Sequence, residues 1–279
     1  MKPILMAAVG LLIATSPAAL FGGDLPADAK AKLDDSLKAL ASYDFGGDKT
    51  ALNTIESLVA ASHGHAQFRK DMAAKLAAIL GTDAPHGAKD FACRQLAIIG
   101  AGESVPALAA LLTDEKLSHM ARFALERIPG PAADEALRGA LDKVKSKTLI
   151  GVINSIGARR DAKAVGALAT LLSDADAAVA GAAAGALGKI GGPAATGALT
   201  KALADVPAPV KPSVADGCLL CADRLLAQGN KKEATAICQR LRGKDFPKAI
   251  RVAATRMIIL ARGSAGVPLL VAQLKSNDP

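Results

Sequence analysis

The sequence predicts an all-α solenoid, a superhelix of antiparallel helical hairpins stacked along a line. Three observations predict it: a leucine pair that returns once per hairpin length, an apolar–Ile–Gly ending between successive pairs, and an apolar content drawn mainly from Ala and Leu. Hydrophobic residues make up 51% of the chain but aromatics only 3%, with no Trp and a single Tyr (Tyr43). Ala and Leu favour helices over strands. Small side chains bury little area each, at roughly 25 cal/mol per Å², so such helices must pack closely and in numbers, as a repeat array does.

The leucine pairs come first. They are Leu76/Leu80, Leu108/Leu112, Leu137/Leu141, Leu168/Leu172, Leu199/Leu203, Ile237/Leu241 and Leu270/Leu274, and their leading members stand 29 to 38 residues apart. A step of four places both members on one helix face, and the longer period is that of a short helical hairpin. Between the pairs lie Leu96-Ala-Ile-Ile-Gly100, Leu125-Glu-Arg-Ile-Pro-Gly130, Ile153-Asn-Ser-Ile-Gly157 and Leu187-Gly-Lys-Ile-Gly191. Each reads as the end of a second helix, closed by Gly.

The hairpins follow in order: 27–42 with 49–61, 65–80 with 87–99, 103–113 with 117–128, 132–143 with 147–156, 162–172 with 177–190, 193–204 with 212–228, and 231–242 with 247–261. A single helix, 265–275, ends the series. Gly130-Pro131 and Gly192-Pro193 place Gly past one helix and Pro inside the next; Pro106 and Pro268 fall in first turns. Asp90, Asp174 or Asp176, and Asp278 stand where second helices need N-caps. Gly181 and Gly185, inside a helix, imply close approach of a neighbour. Pro207, Pro209 and Pro212 lengthen the linker at the 38-residue step, a local irregularity and not a domain boundary. Asn277-Asp278-Pro279 reads as the start of a further helix, so the repeats are expected to be incomplete at the C-terminus, as in the N-terminal part of a longer protein or in a chain whose last helix docks on a partner.

The domain organisation is therefore 1–19 as a signal peptide, 20–64 as an N-terminal helical hairpin, and 65–279 as the repeat solenoid. Lys2, the apolar run Ile4 to Ala14, and Thr15-Ser-Pro-Ala-Ala19 have the charged, apolar and small-residue parts of a signal peptide, with cleavage near Ala18 or Ala19. The run falls short of the roughly 20 residues a transmembrane helix needs. No Cys follows it, which argues against a lipoprotein anchor, and no later stretch reads as a span. The expectation is an exported chain, periplasmic or extracellular, with thiols at Cys93, Cys218, Cys221 and Cys238.

The stretch Val179-Ala-Gly-Ala-Ala-Ala-Gly-Ala-Leu-Gly-Lys-Ile-Gly-Gly-Pro193, running on to Leu199 and Leu203, resembles the HEAT-like repeat of the phycobilin-lyase type. Phe91 to Leu112 and Val152 to Leu172 resemble it too, and the likeness covers roughly residues 65 to 275. Ala88-Lys-Asp-Phe-Ala-Cys-Arg-Gln-Leu96 and Leu117-Ser-His-Met-Ala-Arg-Phe-Ala-Leu-Glu-Arg-Ile-Pro-Gly130 are similar to segments of long exported bacterial HEAT-repeat proteins. Leu225 to Leu241 drifts toward a tetratricopeptide look. These resemblances imply a HEAT-like or armadillo-type superhelix and, as function, a binding surface.

No residue set calls for catalysis. Cys218-Leu-Leu-Cys221 lacks the following His of a haem site, a second ligand pair for zinc, and the βαβ context of a redox pair. Cys221 and Cys238 face each other across a hairpin turning near 229–230, which makes a disulfide a candidate against buried free thiols. Helix axes usually stand about 8–10 Å apart, wider than the roughly 4.4–6.8 Å between disulfide Cα atoms. His63-Gly-His65 lies in a loop without a nearby carboxylate or Cys, His86 and His119 stand alone, and no metal, cofactor or catalytic residue is assigned.

Charge is the remaining signal. The net charge is +8, with 34 basic and 26 acidic residues, and the excess gathers late. Lys231, Lys232, Arg240, Arg242, Lys244, Lys248 and Arg251 form a candidate interaction surface. The primary reading is a non-catalytic protein–protein scaffold outside the cytoplasm. The alternatives are a binder of an anionic polymer, polysaccharide or lipid headgroups, through that basic surface, and the N-terminal repeat part of a longer exported enzyme. Scarce aromatics and the export signal argue against nucleic acid.

Overall fold

The computed structural model describes residues 25–275; the expected signal peptide and the expected cap at Asp278 lie outside them. The first hairpins are α1 (Ala29–Leu40) with α2 (Thr50–Ala61) and α3 (Ala66–Leu80) with α4 (His86–Ile99). Next come α5 (Val105–Ala110), preceded by a 3-10 turn, with α6 (Ser118–Leu125), and α7 (Pro131–Arg138) with α8 (Ser146–Arg159). They are followed by α9 (Val165–Leu171), again behind a 3-10 turn, with α10 (Ala177–Ile190), then α11 (Gly192–Asp205) with α12 (Lys211–Ala227). The last pair is α13 (Lys231–Arg240) with α14 (Lys248–Arg262), and a 3-10 turn at Gly263–Gly266 leads into α15 (Val267–Leu274).

These helices form two layers. The even-numbered helices pack in sequence, α2 on α4, α4 on α6, and so on through α12 on α14, while α1, α3, α5 and α7 follow one another in the second layer. Each even helix therefore rests in the groove between the previous even helix and its own hairpin partner: α6 on α4 and α5, α8 on α6 and α7, α10 on α8 and α9, α12 on α10 and α11. The leucine pairs make the core of this arrangement. From Leu76/Leu80 to Ile237/Leu241 every member is buried. The stack runs through the proline-lengthened linker without a break, since α12 packs on α10, α11 and α13.

The expected glycine contact holds at Gly181 and fails at Gly185. A Cβ at Gly181 would stand 3.1 Å from Ser213 Oγ on α12, whereas one at Gly185 would meet nothing within 4 Å. Closer approach, to backbone, lies at Gly157, whose added Cβ would sit 2.8 Å from Ala186 Cα, and at Gly188, where it would sit 2.8 Å from Gly217 Cα. Bare backbone on α8, α10 and α12 lets these helices draw together, as an alanine-rich core requires.

Capping is partly as expected. Asp176 accepts from Ala178 N at 2.8 Å and caps α10, and Pro106, Pro131, Pro193 and Pro268 occupy first turns. Asp90 is not a cap. It lies a turn inside α4, buried, and pairs with Arg94. The donor at the start of α4 is satisfied from the preceding hairpin, where the Asp44 carboxylate accepts from Gly87 N at 2.9 Å. That bond, another from Phe45 N and the nearby His86 hold the Asp44 carboxyl below the usual carboxylate range.

Arginines close two other helix ends across a repeat boundary. Arg159 on α8 donates to the carbonyls of Leu125 and Ile128, at 2.7 Å each, and of Gly130 at 2.9 Å, while pairing with Asp134 in the first turn of α7. Arg224 on α12 donates to Ile190 O at 2.6 Å and Lys189 O at 2.7 Å. A cation placed on terminal carbonyls answers both their missing donors and the negative end of the helix dipole.

Candidate interaction surface

The last hairpin breaks the burial pattern. Leu270 and Leu274 stand in register with five buried Leu–Leu pairs, yet they are 43% and 78% exposed. Helix α15 buries none of its residues. Val252 and Leu260 on α14 and Val267 and Val271 on α15 are exposed beside them, Leu260 at 61%. Between the two helices runs a groove of about 400 Å³. Its floor is Val252, Ile259, Leu260, Leu270 and Leu274, and its wall carries Arg242, Lys248, Arg251 and Arg256.

Local sequence accounts for this geometry. Pro247 starts α14 and Gly263, at φ +59°, ends it; the 3-10 turn then folds α15 back. The buried side of α14, Ile250, Ala254, Met257 and Ile258, joins the core on α13 and α12, which leaves Val252, Arg256 and Leu260 outward. By length and composition Lys248–Leu274 could cross a membrane; in the fold it is two helices separated by the turn, the first docked on the stack.

The structure divides the seven basic residues predicted from sequence. Lys231 and Lys232 open α13, at the turn formed by Gln228–Asn230, while Arg240 ends it. At 1.5 Å per residue the two groups stand about 13 Å apart along the axis. Arg242, Lys248 and Arg251 line the groove, and Lys244 is exposed in the loop leading to α14. Arg256, absent from the predicted set, joins them. Its position seven residues before the 3-10 segment gave no signal until α15 was seen to fold back. The nearby acid, Asp245, does not neutralise this wall. Its carboxylate is engaged by Lys211, whose hydrogen bond lowers the Asp245 pKa, and whose ammonium also lies 5.1 Å from the Phe246 ring centre.

The cysteines are elsewhere and are free thiols, all buried. The Cys221–Cys238 disulfide considered from sequence is not formed: Cys238 Sγ lies 3.9 Å from Met257 Sδ on α14, and Cys221 is turned toward Thr196 on α11. Burial pushes the thiols of Cys93 and Cys218 up to about 12 and that of Cys238 to about 11, so they stay protonated and unreactive at neutral pH. His63 and His119 are exposed, and His86 packs on Phe45 with its Nε2 3.4 Å from Lys116 O. Among the described residues no cluster of three or more His, Cys, Asp or Glu is placed to hold a metal ion.

The two-layer stack of helical hairpins is an α-solenoid. Residues 135–216, from α7 into α12, match the family of HEAT repeats, and the same layered hairpins continue on both sides of that window: the chain is a HEAT-like repeat protein. The match is to HEAT repeats in general. Among curated proteins none matches the sequence. A solved structure describing lipid–protein interactions in lipovitellin superposes with a TM-score of 0.64 at 15% identity, over 99% of this chain and 33% of that one. The chain thus spans about a third of the lipovitellin chain, and the likeness is one of fold. An engineered protein aligns at 19% identity and a TM-score of 0.43, over 88% of this chain and 73% of that one.

Proposed function

We propose that this chain is a non-catalytic scaffold outside the cytoplasm that binds another protein through the α14–α15 end of its solenoid. The observation that carries the reading is the groove itself. Its contiguous apolar floor would cost stability and solubility if left in water, and exposed apolar patches of this kind mark interaction sites. The arginine-rich wall adds the residue type enriched in protein interfaces. Export rests on the pattern of residues 1–19 alone.

Immobilised wild-type protein should retain one protein in stoichiometric amount from an envelope or secreted fraction, and the Leu260→Glu/Leu270→Glu double variant should lose it. Both sites are exposed, so the variant should keep the wild-type helical circular dichroism. Capture that is unchanged in the double variant would refute this placement of the site. N-terminal sequencing of the exported form should begin near Leu20; a mature chain that still starts at Met1 would remove the export reading.

A second reading is favoured by the gathering of Arg242, Lys248, Arg251 and Arg256 on one wall: binding of an anionic polymer. Retention on a heparin column should then fall steeply with salt and fall again in the Lys244→Glu/Lys248→Glu/Arg251→Glu variant.

A further inference from the structure

We propose that the edge of the solenoid where one hairpin passes to the next is a track for an acidic polysaccharide, laid across the joints α6–α7, α8–α9, α10–α11 and α12–α13. This face is separate from the α14–α15 groove and uses Lys231 and Lys232, which the groove leaves aside. The hairpins are antiparallel and stack in sequence. All four joints therefore fall on one edge, and the turns inside the hairpins fall on the other.

The joint edge carries one sign of charge. Within a helical turn of each joint the exposed ionisable residues are Arg127, then Arg160 and Lys163, then Lys189, then Lys231, Lys232 and Glu233. The other acids there are already engaged: Glu126 accepts from Ser155 Oγ at 2.6 Å, Asp134 pairs with Arg159, and Asp161 pairs with Arg138. Helix ends add to the asymmetry. The C-termini of α6 and α10, the negative ends of their dipoles, are covered by Arg159 and Arg224. The positive ends of α11 and α13 lie on the same edge without a side-chain cap. The opposite edge mixes signs, with Asp114, Asp142, Asp176 and Asp205 among Lys116, Lys143 and Lys145. Earlier on the joint edge Lys70 and Glu103 pair with each other at 3.1 Å, so the uncompensated row begins at Arg127.

The row is continuous as well as uniform. Packed helices stand about 8–10 Å apart, so three steps along the even-numbered helices carry it over about 25–30 Å. Lys189 bridges one of these steps: a Cβ on Gly157 would stand 3.5 Å from its Cδ, so its stem reaches over the end of α8. A line of cations matches a chain that repeats its anions along its length.

The surroundings select among polyanions. Among the described residues no large apolar side chain is exposed at these four joints, so nothing there would enter a lipid layer. The one aromatic, Phe123, lies beneath the Arg127 guanidinium, 3.7 Å from its ring centre. That leaves no free ring face on which a nucleic-acid base could stack. The edge offers charge on long side chains, which suits carboxylates or sulfates spaced along a hydrophilic glycan.

The test uses the full chain and fluorescein-labelled oligogalacturonates of graded length, read by fluorescence anisotropy. Three triple variants make the same change in net charge. Lys163→Glu/Lys189→Glu/Lys231→Glu alters the track, Lys143→Glu/Lys145→Glu/Lys147→Glu the opposite edge, and Lys244→Glu/Lys248→Glu/Arg251→Glu the side of the α14–α15 groove. All three should keep the wild-type helical circular dichroism. The track variant should weaken binding by about tenfold or more, and each of the others by about threefold or less. Should the track variant lose helix, Lys163→Gln/Lys189→Gln/Lys231→Gln replaces it and should weaken binding more than the corresponding Gln triples elsewhere. Affinity should rise with oligomer length until the sugar covers the row, and fall as salt is raised.

Equal weakening in the three variants would mean attraction to net charge alone and overturns the proposal. So does failure of the wild type to bind, or an affinity already maximal for a disaccharide. Tighter binding of an oligothymidylate of equal charge, or sedimentation with phosphatidylglycerol vesicles that the track variant abolishes, would reassign the edge to nucleic acid or to membrane and overturn it too. Weakening confined to the groove variant leaves the anionic-polymer reading of that groove standing while the track falls. Weakening confined to the track variant does the reverse.

Discussion

Gly188→Ala should destabilise the protein, and Gly185→Ala, three residues away on the same helix, should stabilise it. In α10 both changes gain helix propensity, worth up to about 1 kcal/mol each. They differ in what the new methyl group meets. At position 188 it would stand 2.8 Å from Gly217 Cα and 3.1 Å from Gly217 O, both backbone atoms of α12. Carbon pairs rest at about 3.5–4.0 Å, so α10 and α12 must part by most of an ångström along a contact that also carries Arg224 onto Ile190 O. Overpacking of this kind costs about 1–3 kcal/mol, which leaves a net loss of up to about 2 kcal/mol after the propensity gain. For a chain of this size that lowers the thermal midpoint by up to about 8 °C. At position 185 no atom lies within 4 Å, so the propensity gain is kept and the midpoint rises by a few degrees. Helical circular dichroism through a thermal ramp reads both. Midpoints that move in the same direction for the two variants would refute the argument that α10 and α12 touch through bare backbone at residue 188.

Further expectations rest on single groups. Arg159→Met removes the donor from the carbonyls of Leu125, Glu126, Ile128 and Gly130 and strands the half-buried Asp134 carboxylate, so urea denaturation should show a loss of about 3 kcal/mol; Arg159→Lys, which keeps charge but not the planar fork, should recover only part. The cysteines should resist iodoacetamide at pH 8 in the native protein, and all four should label in urea; rapid native labelling of Cys218 would contradict its burial. Because folding raises the Cys93, Cys218 and Cys238 pKa values to about 11–12, the unfolded chain loses those protons first as pH rises. Stability should be unaffected by these groups below about pH 9 and fall between about pH 9 and pH 12, with a shallower decline in Cys218→Ala. For Asp44 the sign is opposite. Its depressed pKa means that the carboxylate stabilises the fold at neutral pH and that this is lost as pH falls through the acid range, so the destabilisation caused by Asp44→Asn should shrink on acidification.

Elements governed by local periodicity were readable directly. The Leu pairs fixed which helix faces turn inward, and the prolines and Asp176 marked where helices begin, because a helix start depends on residues within one turn of it. The cap of α4 was not readable: Asp90 has the right residue type and nearly the right place, but the acid that caps the helix is Asp44, brought in from the preceding hairpin across 43 residues of sequence. The expectation for Gly185 failed for a related reason. Which glycine meets a neighbour depends on how adjacent hairpins are offset, and that offset is a property of the stack, so Gly188 and Gly185 look alike in the sequence and opposite in the fold.

The candidate surface shows the same limit. An excess of basic residues after Arg224 was plain, but helix α13 carries Lys231 and Lys232 to one end and Arg240 to the other, and only the fold-back of α15 adds Arg256. Leu270 and Leu274 repeat the motif of pairs that are fully covered elsewhere. Their exposure comes from what lies next to them in space, and nothing within the motif encodes it.

The arginine clasps have a directional consequence. Arg159 and Arg224 each reach backward to secure the final turn of the unit before them, so at these two joints a unit depends on its successor for its own last carbonyls. Trimming the array from its front at such a joint removes a unit whose closing arginine stays behind; trimming from the rear takes the arginine away and leaves the new final turn open to water. Successive deletions from the two ends should therefore be unequal, with rear-trimmed arrays fraying at helix ends that front-trimmed arrays keep closed.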